Sequence, residues 1–389
     1  MLLHFFDDDT IQHLYPLTLT RPAADLRCGM LTIAEKWVRY FKPEQFGYTT
    51  LPHLAAKYKP LQGNVTHHIN GRLLPSKAAI DAIGNLKSGQ QLWKGATLLA
   101  RCSGETTSDI QADFEVALIS RPYDLFINAG CCIQQDFELL TQGKTTQVLN
   151  PTVQVLGDFP IFVEEGAKVN CSVLNASNGP IYIGKNAEIM EGCLVRGPLA
   201  MCEGSVLKLG AKVYGPTVLG PYCVVGGEVN NISMQGYSNK GHDGFLGNAV
   251  LGEWCNIGAD SNCSNLKNNY EDVKVWNYAT GRFDKSGQQF CGLIMGDHSK
   301  CGINTMFNTG TVVGVSANIF GSGFPRQFIP DFAWGGASGF ITYKLDAACK
   351  TAGLVMPRRK KEFNETEKAI MESVFSLTAG WRNWEVSNE

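Results

Sequence analysis

Between Lys240 and Gly247 the chain reads KGHDGFLG, one histidine among three glycines and a lysine. Imidazole, with a reference pKa of about 6.5, can take up a proton near neutral pH. Acyl transfer from a thioester to an amine or hydroxyl needs such a group as the new bond forms, and needs no covalent intermediate. Gly241, Gly244 and Gly247 would let a ligand approach the backbone closely, and N–H groups at such corners can face a developing oxyanion. His242 can equally be a polar residue that bonds a carbonyl at a tight corner. A second basic set lies in LTLTRPAADLRCGMLTIAEKW, Leu17 to Trp37. There Arg21, Arg27 and Lys36 could neutralise the phosphates of a nucleotide, or could pair with Asp7, Asp8, Asp9 or Asp25. The run RRKK, Arg358 to Lys361, reads as a solvated face, with an anionic ligand as the alternative.

These residues must be held by a chain of 389 residues, enough for two domains and an appendage. With 34 basic and 36 acidic residues, a formal charge of −2 gives no basic field for nucleic acid or an anionic membrane. Small-molecule chemistry is favoured. No stretch resembles a membrane span of about 20 apolar residues, and MLLHFFDDD lacks the basic start of a signal peptide, so a cytoplasmic protein is expected. The 13 cysteines are odd in number, scattered and without a CxxC pair, which suits small buried side chains better than disulfides or a zinc site.

Glycine marks the main boundary, since residues 151–340 hold 30 of the 42. Before it, LLHFF, LTIAEKWVRYF, SKAAIDAIGNL, TLLARC and FEVALI alternate strand-like and helix-like patterns, which predicts a small α/β domain over residues 1–122. Residues 123–150 then connect it to the next domain. From Pro151 an apolar residue recurs every six positions, as in Ile183, Ile189 and Val195 and in Met295, Cys301, Phe307, Val313 and Ile319. Neither a helix nor a single strand has that period. It is the signature of a hexapeptide-repeat β-helix, predicted over 151–340. Residues 265–292 lack the period and should loop out of the coils, where long excursions often build sites. In the extension 341–389, NETE sets Asn364 and Glu367 as a capping box before Ile370, Val374 and Leu377, predicting a helix.

At this point the chain resembles a known family, the two-domain enzymes that join an N-acetylglucosamine-1-phosphate uridyltransferase to a glucosamine-1-phosphate acetyltransferase. Their acetyltransferase motif runs roughly KxGHxxYxG, then a NIGAG-type coil and a loop asparagine. Here the corresponding residues are KGHDGFLG and NIGADSNCSN, Asn256 to Asn265. The resemblance implies a left-handed parallel β-helix that assembles as a homotrimer, with the site between chains and acetyl-CoA as cofactor. Carried over, His242 is the general base, Asn256 lies beside the sugar and acetyl group, and Asn265 is the loop asparagine. Phe245 stands where the family has a tyrosine. The family's phosphate-holding arginine and lysine have no counterparts, so Lys240 or Lys274 would take the anionic role. The N-terminal stretch is similar to a degenerate nucleotidyltransferase signature in which Thr20 and Arg21 match a TR pair, Arg27 and Lys36 stand near its two lysines, and the phosphate-loop glycines are absent. The domain is about half the family's length, which implies a reduced sugar-binding part.

The function expected is therefore acyl transfer, with acetyl-CoA as donor, to an amino sugar or sugar phosphate. Two alternatives stand beside it. One is a sugar-1-phosphate nucleotidyltransferase, using Mg and with the β-helix as scaffold. The other is a non-catalytic protein that binds nucleotide sugars.

Overall fold

The computed structural model of the chain describes residues 1–61 and 66–385, so the last four residues of the expected extension lie outside the described ones. The chain divides into two compact units. One comprises residues 1–14, 18–26 and 31–121, and the other comprises 15–17, 27–30 and 122–389.

The first unit is an α/β domain around a six-stranded mixed sheet. In chain order its elements are β1 (Leu2–Phe6), α1 (Ile33–Phe41), β2 (Gln45–Thr49), β3 (His67–Asn70), α2 (Lys77–Gly84), β4 (Gln90–Lys94), β5 (Thr97–Cys102) and β6 (Ser108–Gln111). The sheet order is β2-β1-β3-β5-β4-β6. β1 is an interior strand parallel to both neighbours, and its LLHFF buries Leu3, His4 and Phe5, as a strand covered on both faces should. α1 begins at a reciprocal capping box, in which the Glu35 N–H donates to the Thr32 hydroxyl and the Thr32 N–H to the Glu35 carboxylate. Its inward face carries Ile33, Ala34, Lys36 and Trp37, and the Trp37 indole N–H donates to the Leu73 carbonyl at 2.8 Å.

FEVALI, predicted as a strand, forms only an isolated bridge between Leu118 and Leu73. The strands in that region are β4 and β6 instead. β6 is exposed at every position and so carries no hydrophobic period to read.

The second unit is a parallel β-solenoid preceded by two helices, α3 (Asp124–Ile127) and α4 (Ala129–Thr141), and followed by α5 (Leu345–Val355) and α6 (Glu365–Leu377). Short strands of successive coils pair in register along three faces. On one face Val169, Ile189, Leu207, Val225 and Lys240 stand in one column, and on another Ile161, Ile181, Leu199 and Thr217 do. Three faces in a coil of about eighteen residues explain the period of six, while parallel stacking puts each coil's inward residue over the last, and each buried aliphatic contributes about 1.5–3 kcal/mol. The core so formed runs from Val163 to Ala333. Phe137 of α4 packs edge-on to Phe162 and Tyr182 of the first coils.

Between Asn265 and Gly292 the chain leaves the ladder and forms an antiparallel hairpin, Lys274–Asn277 against Arg282–Lys285. At the C-terminus the Asn364 side chain accepts from the Glu367 N–H at 3.1 Å and starts α6. Ile370, Met371 and Val374 are buried while Leu377 is exposed. None of the 13 cysteines forms a disulfide. Among the described residues no helix is long and apolar enough to cross a membrane.

Candidate active site

KGHDGFLG folds as the end of one short strand, a corner and the start of the next, Phe245–Glu253. Glycine is required at two of its positions. Gly244 has φ +105°, and a Cβ there would stand 2.2 Å from the Ser261 carbonyl oxygen. A Cβ at Gly247 would meet the Phe245 ring and the Asn265 amide nitrogen. The corner therefore packs against the next coil with no room for side chains, and His242 projects from it, exposed.

His242 lines an open pocket of about 320 Å³ with Lys208, Asp243 and Asp260 and with Gly226, Gly227 and Gly241 of two successive coils. Beneath it, Lys240 is buried, 1% exposed, and its ammonium donates to the carbonyls of His242 at 2.5 Å and Asp243 at 3.2 Å. Burial pushes that ammonium down to about 8, against the pull of Asp243 and Asp260.

Phe245 and Asn265 come together on either side of Gly247. The Phe245 N–H donates to the Asn262 side chain at 2.8 Å, and the Asn265 amide to the Asn248 side chain at 2.7 Å. Asn256 bridges Asn239 and Lys300 on adjacent coils. Within the single chain it opens not onto the His242 pocket but onto a second one of about 310 Å³, walled by Tyr237, Trp254, Arg358 and Arg359. Lys274 stands exposed on the hairpin, opposite Lys285.

One cation of these pockets, Lys208, escaped the sequence reading, whereas Arg358 and Arg359 belong to the RRKK run read there as a solvated face with an anionic ligand as the alternative. Lys208 shares the corner position of Gly226 and Gly241, since the Lys208 N–H bonds the Val225 carbonyl and the Gly226 N–H the Lys240 carbonyl one coil on. Counting coils rather than motif spacing would have found it. Arg358 and Arg359 sit in a short 3₁₀ turn, Met356–Arg359, after α5, and only the fold sets them over the face that bears Asn256.

The N-terminal basic residues are dispersed. Arg21 and Lys36 are buried in the α/β unit, 4% and 1% exposed. Arg27 belongs to the solenoid unit, where its backbone N–H donates to the Gln235 side chain at 2.6 Å and its guanidinium to the Gln235 and Met30 carbonyls. After β1, where the phosphate loop would start, Asp7 accepts from the Ala23 N–H at 2.9 Å and the Thr50 hydroxyl at 2.6 Å, and burial pushes its carboxyl up to about 6. Burial also raises the Asp8 carboxyl, but bonds from Arg72, Thr10 and Asn70 outweigh it and hold it below the usual range. These carboxylates already have protein donors. Among the described residues no group of three or more His, Cys, Asp or Glu is arranged to hold a metal ion.

Residues 3–145 match the family model for sugar nucleotidyl transferases. The bifunctional sugar-1-phosphate nucleotidylyltransferase/acetyltransferase of Sulfurisphaera tokodaii is 23% identical over 299 residues, 75% of this chain and 69% of that protein. The bifunctional protein GlmU of Synechococcus elongatus is 24% identical over 198 residues, 49% of this chain and 39% of that protein, and GlmU of a Synechococcus sp. matches to the same extent. The chain thus spans about two fifths of the length of the two Synechococcus relatives. An α/β unit bearing the nucleotidyl transferase match and a parallel β-solenoid give the chain its likeness to sugar nucleotidyl transferases. More particularly, the chain resembles the bifunctional nucleotidyltransferase/acetyltransferases.

Proposed function

We propose that the chain is an acyltransferase of sugar-nucleotide metabolism, moving an acetyl group from acetyl-CoA to an amino sugar or sugar phosphate with His242 as general base. The observation that carries this is the exposed imidazole at a glycine-tight corner, in a pocket that also presents a cation, Lys208, and two carboxylates. Bound acetyl-CoA supplies the activated acyl group. His242 would take the proton from the acceptor amine as that nitrogen bonds the acetyl carbon and return it to the coenzyme A sulfur as the C–S bond breaks and the thiol leaves. Asp243 and Asp260, which line the same pocket, are the carboxylates suited to accept the other ring N–H and set the tautomer. Lys208 is suited to an acceptor phosphate, and Arg358 and Arg359 with Asn256 to the anionic donor. Phe245 and Asn265 wall the acceptor side, and Lys274 lies on the hairpin that would border it.

A left-handed coil, a homotrimer with the site between chains, and a cytoplasmic location complete this reading. The test is thiol release from acetyl-CoA with a panel of amino sugars and sugar phosphates. His242→Ala should lower turnover about 10²- to 10⁴-fold, the usual worth of a general base. Full turnover in that variant would end the catalytic role of His242.

A second reading, sugar-1-phosphate nucleotidyl transfer with the solenoid as scaffold, is favoured by the family match over residues 3–145. The residues after β1 do not fit the Mg that this chemistry uses, because Asp7 and Asp8 are engaged with protein donors, so no step is routed through it. Pyrophosphate release from a nucleoside triphosphate and a sugar phosphate, lost in Arg21→Ala, would establish that activity. Stabilisation by nucleotide sugars without turnover of any pair would favour a binding protein.

A further inference from the structure

On one face of the solenoid the inward column runs Val169, Ile189, Leu207, Val225, Lys240, each in register with the next. The other four side chains are aliphatic and belong to the core, and Ile257 follows on the next coil, where Asn256 stands over Asn239. A lysine, 1% exposed, thus fills a place that the repeat assigns to a hydrocarbon. Desolvation works against that charge, and an aliphatic residue of similar volume would not carry the cost. Stability of the coil does not call for it.

What the lysine does is local. Its ammonium bonds two successive carbonyls, those of His242 and Asp243, and so fixes the peptide units that follow His242. From the neighbouring coil Gly227 closes on the same turn, where a Cβ would stand 2.8 Å from the Asp243 Cα and 2.9 Å from the His242 carbonyl oxygen. The corner is gripped from inside by the ammonium and from the side by a coil with no room to yield.

We propose that Lys240 is a positioning residue, whose buried ammonium holds the His242–Asp243 corner so that the imidazole keeps the orientation that proton transfer needs. The inference rests on the reading of His242 as general base. It differs from a substrate-binding role for Lys240, because the ammonium is turned into the coil. Misplacing a catalytic group by about 1 Å can cost 10²-fold. Replacement of Lys240 should therefore lower kcat about 10- to 10²-fold, less than removal of His242 itself.

The experiment compares Lys240→Met and Lys240→Leu with His242→Ala in the full chain. Both Lys240 variants fill the column with hydrocarbon, so Tm should hold or rise. At the same time kcat should fall, KM for acetyl-CoA should stay within about twofold, and the amides of residues 241–244 should exchange hydrogen faster than in the native protein. Those of Val224 and Val225 should not change. Unchanged kcat with unchanged exchange at the corner would overturn the positioning role while a loss in His242→Ala left the function intact. A fall in Tm that accounts for the lost turnover would also overturn it, since the lysine would then be holding the coil. Full turnover in His242→Ala would overturn the functional reading, and the positioning role with it.

Discussion

Asp331 stands at the far end of the solenoid, fully buried, and accepts hydrogen bonds from the Tyr278 hydroxyl at 2.9 Å and the Val315 N–H at 2.6 Å. It thereby ties the excursion that carries Tyr278 to the last coils. Burial pushes its carboxyl from 3.8 up to about 6, against the two hydrogen bonds and the charge of Arg382. A carboxyl whose folded pKa lies above its unfolded value adds stability that is complete below the unfolded pKa and is lost as pH rises through the folded one. Between pH 4 and pH 7 this group should cost the native state about 2 kcal/mol, the larger part of the linkage that 1.36 kcal/mol per pH unit gives over the whole interval between the two values. Asp331→Asn keeps an oxygen for the Val315 N–H, turns its amide to the Tyr278 oxygen, and does not titrate. The Tm of the variant minus that of the wild type should therefore grow more positive from pH 4 to pH 7, by roughly 4 °C for a unit of this size. Calorimetry at fixed ionic strength measures it, and Asp7, which is shifted the same way, is common to both proteins and cancels. A difference that stays flat with pH, or grows in the opposite direction, refutes the argument.

In the α/β unit, Asp8→Ala strands Arg72, 4% exposed, without its partner at 2.5 Å, and should destabilise that unit by about 3 kcal/mol in urea unfolding. Gly244→Ala forces a methyl to 2.2 Å from the Ser261 carbonyl at φ +105°, so turnover should fall at least tenfold in the acetyl-transfer assay. Light scattering at micromolar concentration should give three times the chain mass of 42.5 kDa, and a monomer would remove the shared-site reading.

The solenoid was legible because its physics is one-dimensional. Each coil buries the same inward position, so Ile183, Ile189 and Val195 declare the fold without any long-range information. The cap of α6 was equally local, four residues deciding where a helix starts. The edges of the α/β sheet were not legible: β4 buries only Leu92 and β6 buries nothing, so hydrogen bonding rather than a hydrophobic pattern makes them strands.

For the site, residue types and their spacing singled out His242 and its glycines. What surrounds them was settled by coil length. Ile189, Leu207 and Val225 are eighteen residues apart, yet Lys240 follows Val225 in register after only fifteen. That shorter coil turns a lysine that reads as a surface cation into a core residue gripping the His242 corner. Arg27 shows the same limit. In sequence it stands six residues from Arg21, but its hydrogen bonds to Gln235 and Met30 enrol it in the solenoid unit. Local pattern determined which chemistry was present, because side-chain type and period are properties of the chain. Burial, charge and company were decided by tertiary structure, because they depend on which distant residues the coils bring alongside.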